Sequence, residues 1–242
     1  MVAMDQHKAY QLRTCDFDQY GHIQPASVLD IFQDIASTHA DDMGIGFDDM
    51  QAQGVFWAVT RMKYEVVKHP VVHGEYVART WPHSPSRFSF KRDYSLKDAD
   101  GELCVKASSE WVLMDVESRQ LAKVADHYNG PDNYFDDRSF ADKMRKIVDV
   151  DMTGTEPYEL VPGASDIDVN GHLNNARYAA YVLDALNLGA DQVIKTFQID
   201  YRHEVKAGEP LRLYSATDAE SVIVKGLNAQ DESAFLCKIE LA

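Results

Sequence analysis

The sequence predicts an α+β fold in which an antiparallel sheet is wound against one buried helix, with the whole arrangement made twice. Three observations predict it. Residues 165–186 read SDIDVNGHLNNARYAAYVLDAL. Here a polar cluster (Asp166, Asp168, Asn170, His172, Asn174, Asn175) gives way to Tyr178, Tyr181, Val182, Ala185 and Leu186, which follow the i, i+3, i+4, i+7 spacing of one buried helix face. The same stretch occurs twice. DFDQYGHIQPA at 16–26 aligns without gaps on DIDVNGHLNNA at 166–176, an offset of 150 (166 − 16), and Asp16/Asp166, Asp18/Asp168, Gly21/Gly171, His22/His172 and Ala26/Ala176 are identical, 5 of 11 positions. The offset continues into the helix and pairs Val28/Tyr178, Ile31/Tyr181, Phe32/Val182, Ile35/Ala185 and Ala36/Leu186, so loop and buried stripe stay in register together. Finally, each predicted helix is followed by a run of strand-forming segments, the α+β order of elements.

In chain order, the first copy begins with a short strand at 10–13 that runs into the first polar loop. Pro25 then opens a helix, a residue suited to the first helical turn, with Val28, Ile31, Phe32, Ile35 and His39 or Ala40 inward and a glycine stop near Gly44. Strands follow near 56–66, 75–82, 87–97 and 103–115, rich in Val, Phe, Tyr, Trp and Thr and separated by turn signals such as HPVVHG and DADG. The run Asn129-Gly130-Pro131-Asp132 marks a break. We expect an N-terminal half at 1–130, a linker at 131–152 and a C-terminal half at 153–242. The second copy repeats the order: a strand near 158–161, the polar loop, a helix capped by Asn174 or Asn175 and running to about Leu188, then strands near 192–205, 210–217, 221–229 and 234–241. A sheet curled on one helix, made twice, is a tandem hot-dog.

Composition narrows the function. The 242 residues are 45% apolar, enough for two fused domains of about 120 residues each. The net charge is −15, and both halves share it: residues 1–130 hold 13 Lys and Arg against 19 Asp and Glu, and residues 131–242 hold 11 against 20. So acidic a chain is not expected to bind nucleic acid through general electrostatics. No apolar run is long enough to span a bilayer, and MVAMDQHKAY lacks the apolar core of a signal peptide. Cys15, Cys104 and Cys237 are scattered, with no CxxC pair, and read as reduced thiols of a cytoplasmic protein. We expect no metal, since neither HExxH nor a Cys/His quartet is present. The absence of a Gly-rich phosphate loop and of a GxSxG elbow argues against a nucleotide enzyme and a serine esterase.

Over nearly its whole length the sequence resembles the acyl-acyl carrier protein (acyl-ACP) thioesterase family. FWAVTRMKYEVVKHP at 56–70, ARTW at 78–81 and SSEWVLMDVESRQ at 108–120 carry the resemblance in the first half, SDIDVNGHLNNARY and YRHE in the second. The resemblance implies a hydrolase that frees fatty acids from acyl carrier protein without a cofactor, with the family's Asp-x-Asn-x-His triplet on Asp168, Asn170 and His172 and its catalytic Glu on Glu204. Plant members carry a Cys directly after that Glu. Here it is Val205, which removes a Cys–His route and leaves water as the attacker. On this reading Glu204, directly or through His172, activates water; Asn170 positions water or thioester; Asp168 orients Asn170 or the imidazole; and N–H groups at the helix start face the oxyanion.

The bland alternative is that an Asp/Asn-rich loop before a helix only caps it and forms turns. The first copy is an internal control. It keeps Asp16, Asp18, Gly21 and His22, but has Tyr20 where Asn170 stands, Gln24 for Asn174 and Val67 for Glu204. Asn170 and Glu204 are therefore the better catalytic candidates, and His22 a structural residue. Asp200 and His203 read as strand-surface residues. If the second half does the chemistry, the first is expected to hold the acyl chain, with Ile31, Ile35, Phe56, Trp57 and Met62 as pocket candidates. Lys143, Arg145 and Lys146, the only dense basic cluster, are the candidate docking site for an acidic carrier protein. Acyl-CoA as substrate, a non-catalytic acyl-binding hot-dog and a hot-dog dehydratase are the competing readings, and both monomer and homodimer stay open.

Overall fold

The computed structural model describes residues 4–130, 132–152, 154–218 and 221–242. Its contacts divide the chain into two units, one of Met1–Asp16 with Asp30–Met144 and one of Phe17–Leu29 with Arg145–Ala242.

The first unit holds β1 (Gln6–Gln11), helix α1 (Pro25–Asp42) from Asp30 onward, a short helix α2 (Phe47–Ala52), β2 (Val55–Val66), β3 (Glu75–Pro82), β4 (Ser89–Asp98), β5 (Leu103–Asp115) and a single turn α3 (Val124–His127). Strands lie in the order β1-β3-β4-β5-β2, every pair antiparallel. From α1, the side chains of Ile31, Phe32, Ile35 and Ala36 are buried, and the Phe32 ring sits 5.0 Å from that of Tyr94 on β4. Ile31, Phe32 and Ile35 each contribute about 1.5–3 kcal/mol through burial, so the helix is held by its packed face more than by intrinsic propensity. Gly44 stops the helix at φ 69, with Gly44 N–H donating to Asp41 O and Ile45 N–H to Ala40 O, the left-handed ending that glycine makes cheap. The helices α2 and α3, 6 and 4 residues long, are too short to show a helical period in the sequence.

The second unit holds β6 (Tyr158–Leu160), helix α4 (Asn175–Leu186), β7 (Ile194–Tyr201), β8 (Leu211–Asp218), β9 (Ser221–Leu227) and β10 (Ser233–Leu241), with sheet order β7-β10-β9-β8-β6. Asn174 caps α4, its side chain accepting from Ala176 N–H at 2.9 Å. The helix stops short of the expected Leu188 because Asn187 turns left-handed, at φ 45. Each unit is thus a helix with a curled antiparallel sheet, and the fold is a double hot-dog.

The connecting segment packs on the sheets rather than hanging free. In the first unit Ser139 N–H donates to the buried Asp93 carboxylate at 2.8 Å, and Trp81 Nε1 donates to Asp137 O at 3.1 Å. In the second, Ile147 N–H donates to Asp200 Oδ2 at 2.8 Å and Gln198 Nε2 to Arg145 O at 2.7 Å. Asp200, expected on the strand surface, is only 4% exposed, because residues 145–149 cover the face of β7 that carries it.

Candidate active site

The two polar loops share their turn-closing backbone bonds. In the first, Phe17 bridges Ile23, Asp18 N–H donates to His22 O at 2.9 Å and Gly21 N–H to Asp18 O at 3.1 Å. In the second, Ile167 bridges Leu173, Asp168 N–H donates to His172 O at 2.8 Å and Gly171 N–H to Asp168 O at 3.0 Å. Gly21 and Gly171 sit at φ 85 and φ 77, a conformation that explains why both copies keep a glycine there. Asp18 and Asp168 also share a structural duty, closing the turn by accepting backbone N–H groups two and four residues on.

The copies differ in where the second carboxylate oxygen points. Asp18 Oδ2 lies 3.5 Å from His22 Nδ1, whereas Asp168 Oδ2 lies 3.4 Å from the Asn170 side-chain nitrogen. His172 meets a group that the first copy lacks: its Nε2 is 3.0 Å from Glu204 Oε2. The imidazole is mostly enclosed, at 17% side-chain exposure, while the carboxylate is 43% exposed and open to water. Residues remote in sequence are brought together by Leu173, next to His172, whose N–H donates at 2.8 Å to the carbonyl of Val205, next to Glu204.

Glu204 does not end a strand, contrary to the expected element at 192–205. β7 stops at Tyr201 because the N–H groups of Arg202 (2.8 Å) and His203 (3.1 Å) both turn to Ala234 O. His203 Nδ1 lies 2.9 Å from Ser233 O, and Gly208 at φ 78 closes the return. Glu204 is therefore presented by a pinned turn. On the loop's other flank Asp166 holds Arg177 of α4 at 2.9 Å. Burial alone would raise the Asp166 carboxyl, but the Gly163 N–H and the Arg177 guanidinium hold it below the usual carboxylate range.

The remaining candidates lie elsewhere. Ile31, Ile35 and Met62 are buried, and Trp57 packs on a core cluster of Met43, Ile45, Met50, Val55, Phe90 and Leu113. Phe56 does not share that wall. Adjacent residues of a strand point to opposite faces, and Phe56 lies beneath the Arg119 guanidinium at 4.9 Å. The same core carries a buried charge. Arg92 Nη1 donates to His39 Nδ1 at 2.8 Å, and burial pushes the guanidinium pKa down. Lys143, Arg145 and Lys146 are exposed. Among the described residues no three His, Cys, Asp or Glu side chains converge as a metal site requires. Among the described residues, no helix is long and apolar enough to cross a membrane.

Sequence reasoning missed the aromatic group behind the site. Tyr178 of α4 is 4% exposed, and its ring lies edge-on to Tyr201 and Phe235, each at 5.4 Å. Tyr201 Oη donates to Asn175 O at 3.0 Å. The available signal was the repeat itself, which has Val28 where Tyr178 stands.

A duplicated loop, a helix start and a His–Glu contact stand together on a double hot-dog. The chain belongs to the acyl-ACP thioesterase family: the model of that family's N-terminal domain matches residues 4–131 and that of its C-terminal domain residues 150–241. A palmitoyl-acyl carrier protein thioesterase of Arabidopsis thaliana is 30% identical over 192 residues, which are 74% of this chain and 47% of that protein. An oleoyl-acyl carrier protein thioesterase of the same plant is 26% identical over 239 residues, 88% of this chain and 63% of that protein. The chain thus spans between about half and two thirds of the length of these chloroplastic relatives. The fold matches the crystal structure of an acyl-ACP thioesterase from Bacteroides thetaiotaomicron (TM-score 0.83, 21% identity, 99% of this chain and 98% of that one). It also matches a 12:0-ACP thioesterase from Umbellularia californica (TM-score 0.87, 19% identity, 100% of this chain and 98% of that one).

Proposed function

We propose that this protein hydrolyses the thioester of a fatty acyl chain carried on acyl carrier protein, and that the second hot-dog does the chemistry. The observation that carries the reading is the 3.0 Å contact between His172 Nε2 and Glu204 Oε2, made in the copy that has Glu204 and impossible in the copy that has Val67. Glu204, half open to solvent, and His172, enclosed beside it, act as one proton-accepting unit that takes a proton from water as the oxygen adds to the thioester carbon. The tetrahedral oxyanion forms beside the start of α4, whose positive dipole end favours it, the Ala176 and Arg177 N–H groups there being held by Asn174. The C–S bond then breaks, and the proton taken from water returns to the departing pantetheine sulfur. Asp168 fixes the loop and orients Asn170, whose amide it holds at 3.4 Å; Asn170 positions the water or the carbonyl.

The acyl chain is assigned to the first hot-dog, against the helix-facing layer of Ile31, Ile35, Trp57 and Met62. Burial there contributes about 0.8 kcal/mol per methylene, which makes chain length a matter of pocket depth. Lys143, Arg145 and Lys146, exposed on an otherwise acidic chain, are the docking cations for the acidic carrier protein. The cytoplasm suits the three thiols: Cys15 is exposed, Cys104 and Cys237 are buried, and no disulfide joins them.

Purified protein should release free fatty acid and thiol from palmitoyl- or lauroyl-acyl carrier protein faster than from the matching acyl-CoA. Faster turnover of acyl-CoA would reassign the carrier, and binding without turnover would make the protein an acyl-binding module.

A further inference from the structure

We infer that Arg177 receives the phosphate of the phosphopantetheine arm that tethers the acyl group to its carrier. The inference rests on the thioesterase reading and deepens it, by assigning the charged part of the arm to a residue. Each copy of the polar loop sets an arginine on its aspartate, but the two arginines come from different places. In the first copy Arg13, ahead of the loop, grips Asp16 as a fork, Nε on Oδ2 at 3.2 Å and Nη2 on Oδ1 at 2.8 Å. Its counterpart in the repeat is Gly163, which keeps only a backbone bond, N–H to Asp166 Oδ2 at 2.9 Å. The arginine of the second copy stands instead in the first turn of α4, where the first copy has Ser27.

The grip differs as well. Arg177 meets Asp166 Oδ1 through Nε alone, at 2.9 Å. Among the described residues, its two terminal nitrogens make no hydrogen bond or ion pair. The carboxylate is enclosed, at 16% side-chain exposure, while the guanidinium is 46% exposed. A guanidinium anchored at Nε and open at its far end is aimed outward. Its two remaining nitrogens match two oxygens of a phosphate, the bidentate geometry for which arginine is suited. A cation needed only to balance the aspartate would close its fork on it, as Arg13 does.

Placement favours the arm over other anions. Asp166 O accepts Asn174 N–H at 2.9 Å, which closes the base of the loop that carries His172, and Arg177 stands at that base. The arm is long and flexible, so a thioester at His172 and Glu204 can bring its phosphate back there. The reacting end is lined by the carboxylates of Asp168 and Glu204, on a chain of net charge −15. An anionic arm entering such a site needs a cation beside its path. The repeat puts one there only in the copy that has Glu204.

The test uses two small substrates, lauroyl-phosphopantetheine and lauroyl-pantetheine, which differ only in the phosphate. In the full wild-type chain KM should be about tenfold lower for the phosphorylated compound at nearly equal kcat, the scale of a hydrogen bond to a charged group. Arg177→Ala should bring the two KM values together. Arg177→Lys should keep part of the gap, because it keeps the charge without the fork. The ratio is taken within one protein, so a variant that folds less fully still reports. Equal KM values in the wild type, or an unchanged ratio in Arg177→Ala, overturn the inference. So does a loss seen only with acyl-ACP, which would set Arg177 against carboxylates of the carrier. Failure of the wild type to hydrolyse either compound would instead sink the thioesterase reading, while calorimetric binding of the same pair to both proteins would still score Arg177.

Discussion

His172 Nε2 and Glu204 Oε2 lie 3.0 Å apart although helix α4 and strand β7 separate them along the chain. What brings them together is the backbone of their neighbours, Leu173 N–H on Val205 O at 2.8 Å. That main-chain bond uses neither side chain, so the backbone positions of His172 and Glu204 are expected to survive substitution of either. Variants at these positions therefore report on chemistry more than on folding.

Glu204→Gln keeps the shape and removes the basic oxygen. We expect kcat to fall by about 10²–10⁴-fold, the range for loss of a positioned general base, with Tm nearly unchanged. Steady-state hydrolysis of acyl-ACP, with a thermal melt as control, checks it. A fall in Tm matched by an unchanged kcat per folded molecule would remove Glu204 from the reaction.

Gly226 on β9 stands opposite Phe235 on β10, and a Cβ there would come 2.1 Å from the Phe235 ring. Gly226→Ala must displace the ring, and that ring packs edge-on against Tyr178. The variant should lose about 1–3 kcal/mol of stability, the usual cost of overpacking, and should lose activity as well. Urea unfolding and kcat measured together test the coupling; a stable variant with full activity would show that the ring yields without consequence.

Asp166 has a depressed folded-state pKa, so its ionised form is favoured by folding. That contribution is present above the ordinary carboxylate pKa and disappears as the pH falls through the lower, folded value. Asp166→Asn should therefore be less stable than wild type at pH 7, by no more than about 1 kcal/mol because the group is partly solvated. The gap should close in strong acid. Denaturant unfolding of both proteins at pH 7 and near pH 3 measures it, where the gap should have narrowed on its way to closing; a gap of unchanged size in acid would assign the effect to packing.

Reversing Lys143, Arg145 and Lys146 to Glu should raise KM for acyl-ACP several-fold and leave acyl-CoA hydrolysis little changed, because exposed cations act on encounter rather than on chemistry. The raised KM should be less marked at high salt. Equal KM values for variant and wild type on acyl-ACP would move the docking site elsewhere.

Much of this was legible in the sequence because the chain is its own alignment. The gapless match of residues 16–26 on 166–176 located both loops, and the strands Glu75–Pro82 and Leu103–Asp115 follow from β-branched and aromatic runs between strong turns. The end of β7 was not legible. Arg202 and His203 look like strand residues, and only their shared acceptor, Ala234 O, turns the chain away. Asp200 looked like surface because burial by the 145–149 segment is a tertiary fact without local pattern. Phe56 and Trp57 are alike in hydrophobicity, and only strand alternation separates their faces. Only the family resemblance singles out Glu204. The residues themselves suggested only a carboxylate before a turn.

The central claim is an asymmetry between two copies of one loop, and the twin histidines test it. We predict that His172→Ala abolishes most hydrolysis of acyl-ACP, while His22→Ala, in the loop that lacks both Asn170 and Glu204, keeps turnover close to wild type once the fraction folded is taken into account. Equal losses in the two variants, or full activity without His172, would contradict the account.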